Sequence, residues 1–173
     1  MKVTWGANFN DFPEFEGWDR VLALNVKAIF YLSAGLSDLL SVNKSSTNQS
    51  HIINISSVAG LATDAQNGGL TSNELNGTWS YTTSKAALNS LTKTLAKTLS
   101  QRFITVNAIL PGVFPTRMTQ FGISKYHDVL INKQPTGRFG IESDLAGTIV
   151  FLSSNASNHV TGNLITLDGA STL

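Results

Sequence analysis

The chain has 173 residues, 42% hydrophobic and 13% charged, with a net charge of +1, three histidines and no cysteine. That is one domain's length with enough apolar content for a sizeable core, which excludes a disordered polymer. The balanced charge leaves no electrostatic footprint for nucleic acid and no polybasic membrane patch, and the lack of thiols excludes disulfides and cysteine metal sites.

Met1-Lys2-Val3-Thr4-Trp5-Gly6 leads into a polar stretch, so no signal peptide is read there, and no apolar run approaches the roughly 20 residues of a membrane span. The expectation is a soluble, cytoplasmic protein. Residues 1–13, with Gly6, Asn8, Asn10, Asp11 and Pro13, read as loop. A helix starting between Glu14 and Gly17 runs to about residue 41. It carries Trp18, Val21, Leu22, Leu24, Val26, Ile29, Phe30, Leu32, Leu36, Leu39 and Leu40 at mixed three- and four-residue steps. It is apolar round much of its girth, so burial on two sides is expected, and such helices point to an oligomer. Asn25 sits in its middle. Asparagine is a poor mid-helix residue because its side chain competes with the backbone, and the local sequence leaves open whether it is tolerated or functional.

After a polar loop over residues 41–50, residues 51–56 (HIINIS) read as a core strand, with Ser57 just past its carboxyl end. Ligands of open α/β sheets bind at such ends. Residues 60–79 form a long connection with Gly68, Gly69 and Gly77, of the length expected of a lid or binding loop. Ser80 is the predicted N-cap of a helix through about residue 102, with Lys93, Lys97 and Arg102 solvated. Residues 103–110 (FITVNAIL) are a second buried strand stopped by Pro111-Gly112, with Pro115 and Thr116 beyond it on the ligand side. Weak helix is predicted around Tyr126–Asn132. A short helix opens at Glu142-Ser143-Asp144 and runs through Ser153, its first-turn acids matching the helix dipole. Leu164–Leu167 is a third strand. His51, His127 and His159 are isolated, and no metal-ligand spacing appears. Strands alternating with helices argue for a parallel α/β sheet in a single domain.

Chemistry concentrates in Tyr81-Thr82-Thr83-Ser84-Lys85. Helical residues i and i+4 share a face, so the phenol and the ammonium can meet in one cleft. A free tyrosine, with a pKa of about 10, exchanges protons poorly at neutral pH. A nearby cation favours the phenolate and fits the side chain for general acid–base work. Ser57 could hold the same substrate oxygen. Taken alone the motif also fits a core tyrosine and a solvated lysine.

Longer matches settle its context. Leu24-Asn25-Val26, Asn54–Gly60 (NISSVAG), Tyr81–Ala87 (YTTSKAA), Val106–Gly112 (VNAILPG), Pro135–Gly140 (PTGRFG) and Val160-Thr161-Gly162 fall in order along nearly the whole chain. Together they resemble the C-terminal two-thirds of a short-chain dehydrogenase/reductase, most like the 3-oxoacyl-carrier-protein reductase and rhamnolipid-biosynthesis type. The resemblance implies a Rossmann-like parallel sheet flanked by helices, with the N-terminal half of the sheet missing, so that residues 1–173 form one partial domain. It implies reversible hydride transfer between NADP or NAD and a small-molecule carbonyl or alcohol, with acyl compounds as candidates. Tyr81 would be the proton donor or acceptor and Ser57 the residue positioning the carbonyl. Lys85 would lower the tyrosine pKa and hold the nicotinamide ribose, and Asn25 would support a water-linked proton relay. Pro111, Gly112 and Thr116 would lie along the nicotinamide.

The chain departs from the family in two ways. The connection from Ser57 to Tyr81 is longer than usual. No two glycines stand in G-x-G spacing, so the turn that binds the pyrophosphate is missing and weak dinucleotide affinity and poor stability are expected. Homo-oligomerisation through helices 17–41 and 80–102 is implied. The competing expectation is a catalytically inactive chain that associates with full-length relatives through those same helices.

Overall fold

The computed structural model describes residues 6–62 and 76–173. The first five residues and the middle of the predicted long loop, with Gly68 and Gly69, lie outside the described residues.

Three strands form a parallel sheet in the order β2-β4-β5: β2 (Ser50–Ile55), β4 (Ile104–Pro111) and β5 (Leu164–Leu167). The parallel α/β expectation holds, with strand ends moved by one residue. β4 is central, and every residue from Ile104 to Leu110 is buried, the pattern of a strand covered on both faces. Its alternate residues Ile104 and Val106 pack with Leu95, Ala96 and Leu99 of helix α2 (Trp79–Leu99). Each buried leucine there contributes about 1.5–3 kcal/mol. Helices α3 (Gln120–Asn132) and α4 (Glu142–Leu152) follow β4, and α4 packs against β2 and β4.

A buried asparagine in β4 fixes the turn that leads into β5. Asn107 donates from Nδ2 to the Val160 carbonyl (2.7 Å) and accepts from the Asn163 amide (3.1 Å). Gly162, at φ +74°, donates to the Val106 carbonyl (2.7 Å). The V-T-G segment is therefore bolted to the centre of the sheet, and β5 starts in register.

Helix α1 (Glu14–Leu40) runs 27 residues with two π-wound stretches, Glu14–Asp19 and Ala23–Lys27. Its buried residues, Gly17, Val21, Ser33 and Ser37, are spaced at multiples of four, and its middle, Arg20–Lys27, is the part that packs against α2. The expected burial on two sides is not seen in the single chain. Leu24, Phe30, Tyr31, Leu32, Leu36 and Leu39 are all exposed, because no described element covers that side. With mean hydropathy 1.2, α1 is also long and apolar enough to cross a membrane by length and composition alone, which corrects the expectation that no stretch comes near that length.

Other boundaries differ from the sequence expectation for local reasons. Residues 7–8 are not loop: β1 (Ala7–Asn8) pairs antiparallel with β3 (Asn76–Gly77), a long-range pairing of two-residue strands that leaves no period in the sequence. Helix α2 starts at Trp79 with Thr78 at its N-cap, and the Ser80 hydroxyl is buried with no partner among the described residues instead of capping. Arg102 is not simply solvated: its guanidinium bonds Ser37 Oγ (2.9 Å) and Ser41 Oγ (3.2 Å) and pairs with Asp38, tying the end of α2 to the end of α1. Helix α3 starts six residues earlier than expected and kinks at Tyr126 (φ −125°), so only its second half was visible as a helical pattern.

Candidate active site

Parallel pairing brings the carboxyl ends of β2, β4 and β5 to one edge, where the chain continues as Ser56-Ser57, Gly112 and Asp168. A cleft of about 660 Å³ opens there. The catalytic candidates Asn25, Ser57, Tyr81 and Lys85 and the cofactor candidates Pro111, Gly112 and Thr116 all line it.

Ser57 lies two residues past β2 in extended geometry (φ −166°, ψ 152°), and a single 3₁₀ turn over Val58–Gly60 follows. Its Oγ accepts from the Ala59 amide (3.1 Å), which caps that turn and fixes the rotamer. The turn lies against α2. A Cβ on Gly60 would sit 2.7 Å from the Lys85 carbonyl carbon and 2.9 Å from the Ala86 nitrogen, so only glycine permits this approach. Ser56 Oγ adds a bond to Asn89 Oδ1 (2.7 Å) across the same contact. Ser57 thereby arrives beside Tyr81, and their side chains are hydrogen-bonded.

Burial pushes the Tyr81 phenol above its ordinary pKa, and the Ser57 hydrogen bond pulls it partly back. The net direction is upward, opposite to the lowering that a neighbouring lysine alone predicts. The Lys85 ammonium is 5.6 Å from the Tyr81 ring centroid and donates to the Ile55 carbonyl (2.9 Å) at the end of β2. Burial lowers the Lys85 pKa.

Asn25 reaches the cleft from the second π-wound stretch of α1, where the Ala28 amide bonds Ala23, five residues back. The wider turn changes the side chain's direction relative to a straight α-helix. Asn25 Nδ2 donates to Ser84 Oγ (3.0 Å), whose hydroxyl donates to the Tyr81 carbonyl (2.8 Å). Ser84 was not singled out in the sequence, although it lies inside the motif and joins Asn25 to the helix that carries Tyr81. Thr119 was also missed. Buried below the β4 exit, its hydroxyl bonds the Phe114 carbonyl and the Thr116 amide (2.9 Å), fixing the segment that presents Thr116. The apolar wall of Phe114, Met118, Ile141 and Leu145 had no local signal, since these residues come from two segments separated by helix α3. None of the histidines lines the cleft: His51 bonds Thr105 Oγ1 (2.8 Å) and His127 pairs with Asp128 (3.0 Å).

Residues 3–172 match the family described as Enoyl-(Acyl carrier protein) reductase. The chain is 34% identical over 169 residues to the rhamnolipids biosynthesis 3-oxoacyl-[acyl-carrier-protein] reductase of Pseudomonas aeruginosa, covering 96% of this chain and 62% of that protein. The chain belongs to the short-chain dehydrogenase/reductase family. Among solved structures, the Pseudomonas aeruginosa RhlG/NADP active-site complex superposes with a TM-score of 0.83 at 34% identity, covering 100% of this chain and 64% of that one. A short chain dehydrogenase from Leptospira borgpetersenii with bound NAD+ gives 0.76 at 30% identity, covering 100% and 63%. This short-chain dehydrogenase/reductase chain thus spans less than two-thirds of the length of these relatives.

The donor set on the cleft fits one end of a nicotinamide dinucleotide. The Lys85 ammonium keeps donors beyond its bond to Ile55, and the Tyr81 phenol lines the same cleft as Pro111 and Gly112. The 173 residues hold no G-x-G turn, so the fit concerns the nicotinamide end alone.

Proposed function

We propose that this chain carries the proton-transfer site of an NAD(P)-dependent oxidoreductase that interconverts a carbonyl and an alcohol. The observation that carries this reading is the hydrogen-bonded Ser57–Tyr81 pair beside the buried Lys85 in one cleft. When bound, NADP or NAD supplies the hydride. Ser57 and Tyr81 hold the substrate oxygen between two hydroxyls. The Tyr81 phenol, kept protonated at neutral pH by burial, gives its proton to that oxygen as negative charge develops on it. Lys85 sits behind the ring, where its positive charge stabilises the phenolate left behind and its remaining N–H donors can take the nicotinamide ribose hydroxyls. Asn25, oriented by Ser84, supports a water-linked path that returns a proton to Tyr81. Pro111, Gly112 and Thr116, which line the cleft, would lie along the nicotinamide. The apolar cleft suits a small-molecule carbonyl or alcohol of acyl type, as the relatives' names also suggest.

The test is NADPH oxidation with a 3-oxoacyl thioester. Tyr81→Phe should cut kcat by about 100-fold or more, and Ser57→Ala should also slow turnover. A Tyr81→Phe protein as fast as its parent would end this reading. A second reading, favoured by the exposed apolar side of α1, is association with copies of itself or with longer relatives through residues 17–41 and 80–102, with or without catalysis.

A further inference from the structure

Resting on the oxidoreductase reading above, we propose that Phe114 and Glu142 set which carbonyl compounds the cleft admits. Phe114 is a fixed apolar wall for an alkyl chain, and Glu142 is a charge filter that turns free carboxylates away.

Phe114 is held in place from two sides. Its ring lies flat on Gly140, where a Cβ would come within 2.3–2.5 Å of three ring carbons. The backbones on either side are joined, since the Gly140 amide donates to the Val113 carbonyl (3.1 Å). The buried Thr119 hydroxyl donates to the Phe114 carbonyl. A ring pinned between a glycine and a locked turn keeps one position, and Met118, Ile141 and Leu145 extend its apolar surface along the cleft.

Glu142 stands in the first turn of α4 and lines the same cleft, with an exposed side chain. Lys85 is the cation of the cleft and stands beside Tyr81, and Arg138 is paired with Asp144 through two bonds (2.6 and 3.0 Å). Among the described lining residues, Lys85 and Glu142 are the charged ones. A substrate carboxylate passing the α4 side of the cleft therefore meets the like charge of Glu142, whereas an amide or thioester is not repelled.

The experiment uses unreactive probes, so it does not depend on turnover. Calorimetric titration compares octanamide, octanoate and butanamide on the purified protein at neutral pH. Octanamide should bind about tenfold more tightly than octanoate, the scale of one like-charge contact near a protein surface. Glu142→Gln should close most of that gap by strengthening octanoate and leave octanamide unchanged. Phe114→Ala should remove most of the preference for octanamide over butanamide, which would otherwise be about fourfold per buried methylene. Met118→Ala, at a half-exposed position, serves the same purpose if Phe114→Ala does not fold.

Equal binding of amide and acid, a gap that Glu142→Gln leaves intact, a chain-length preference that survives the wall variants, or no binding of either eight-carbon probe at millimolar concentration would each overturn the proposal. NADPH turnover is scored separately. Discrimination without turnover keeps the charge filter and removes the oxidoreductase reading, and turnover without discrimination does the reverse.

Discussion

Burial and a hydrogen bond act on the Tyr81 phenol in opposite directions, and burial is the larger effect. The sign has a kinetic consequence. A raised pKa keeps the phenol protonated through neutral pH, so carbonyl reduction should be level through neutral pH and fall only in the alkaline range, as Tyr81 and Lys85 lose their protons. Ser57→Ala removes the lowering contribution, so the alkaline limb should move to higher pH as well as the rate dropping. Rate profiles of parent and variant over that range check both points. Asn25 offers a second test at this scale. Its amide is fixed by Ser84, so Ser84→Ala should slow turnover while leaving Ser57 and Tyr81 in place. If only the fold depended on Ser84, the thermal midpoint would drop and kcat would not.

Two elements hold the edges of the cleft, and each has a weak point. The 3₁₀ turn after β2 depends on Gly60 lying against α2. Gly60→Ala should push the turn away and cost about 1–3 kcal/mol in urea unfolding, the range for overpacking a close contact. It should also separate Ser57 from Tyr81, so activity falls further than stability. Helix α4 depends on Asp144. Two bonds from Arg138 and one from the Ile141 amide (2.9 Å) lower its pKa to about 2. A folded-state pKa below the unfolded value means that this contribution is present above about pH 4 and is lost as pH falls through about 2. Asp144→Asn should therefore lower the thermal midpoint at pH 7 and converge with the parent near the acid limit. Melting curves across pH check this.

Across the whole molecule, the described residues leave uncovered the apolar side of α1 and the outer edges, β2 and β5, of the β2-β4-β5 sheet. Both are association surfaces on physical grounds, one through burial of leucine and aromatic side chains and one through unpaired strand edges. The protein should elute in light-scattering chromatography above its 18.5 kDa monomer mass. Replacing both Leu36 and Leu39 with Glu should shift it toward that mass if α1 is the interface. A parent that stays monomeric would remove the association reading. Arg20–Lys27 of α1 packs against α2 and Arg102 bonds Ser37 near its end, so the helix's length and hydropathy alone do not argue for a membrane.

The sequence by itself determined the features set by local geometry. The alternation of β-branched runs with helical periods specified a parallel α/β sheet, and β4 was legible because it is apolar on both faces. Tyr81 and Lys85 could be placed together because helical spacing fixes i and i+4 on one face, and Ser57 because it follows a strand's carboxyl end. Only the tertiary structure decided what depends on contacts between distant segments. Asn25 meets Ser84 across 59 residues through a π-wound turn that no proline announces. Phe114 is pinned by Gly140, Glu142 comes to the cleft from another helix, and β1 finds β3 across most of the first half of the chain. The balance on Tyr81 also belongs here. Sequence shows the lysine that would lower the pKa, but the desolvation that raises it exists only once neighbouring elements have closed around the ring.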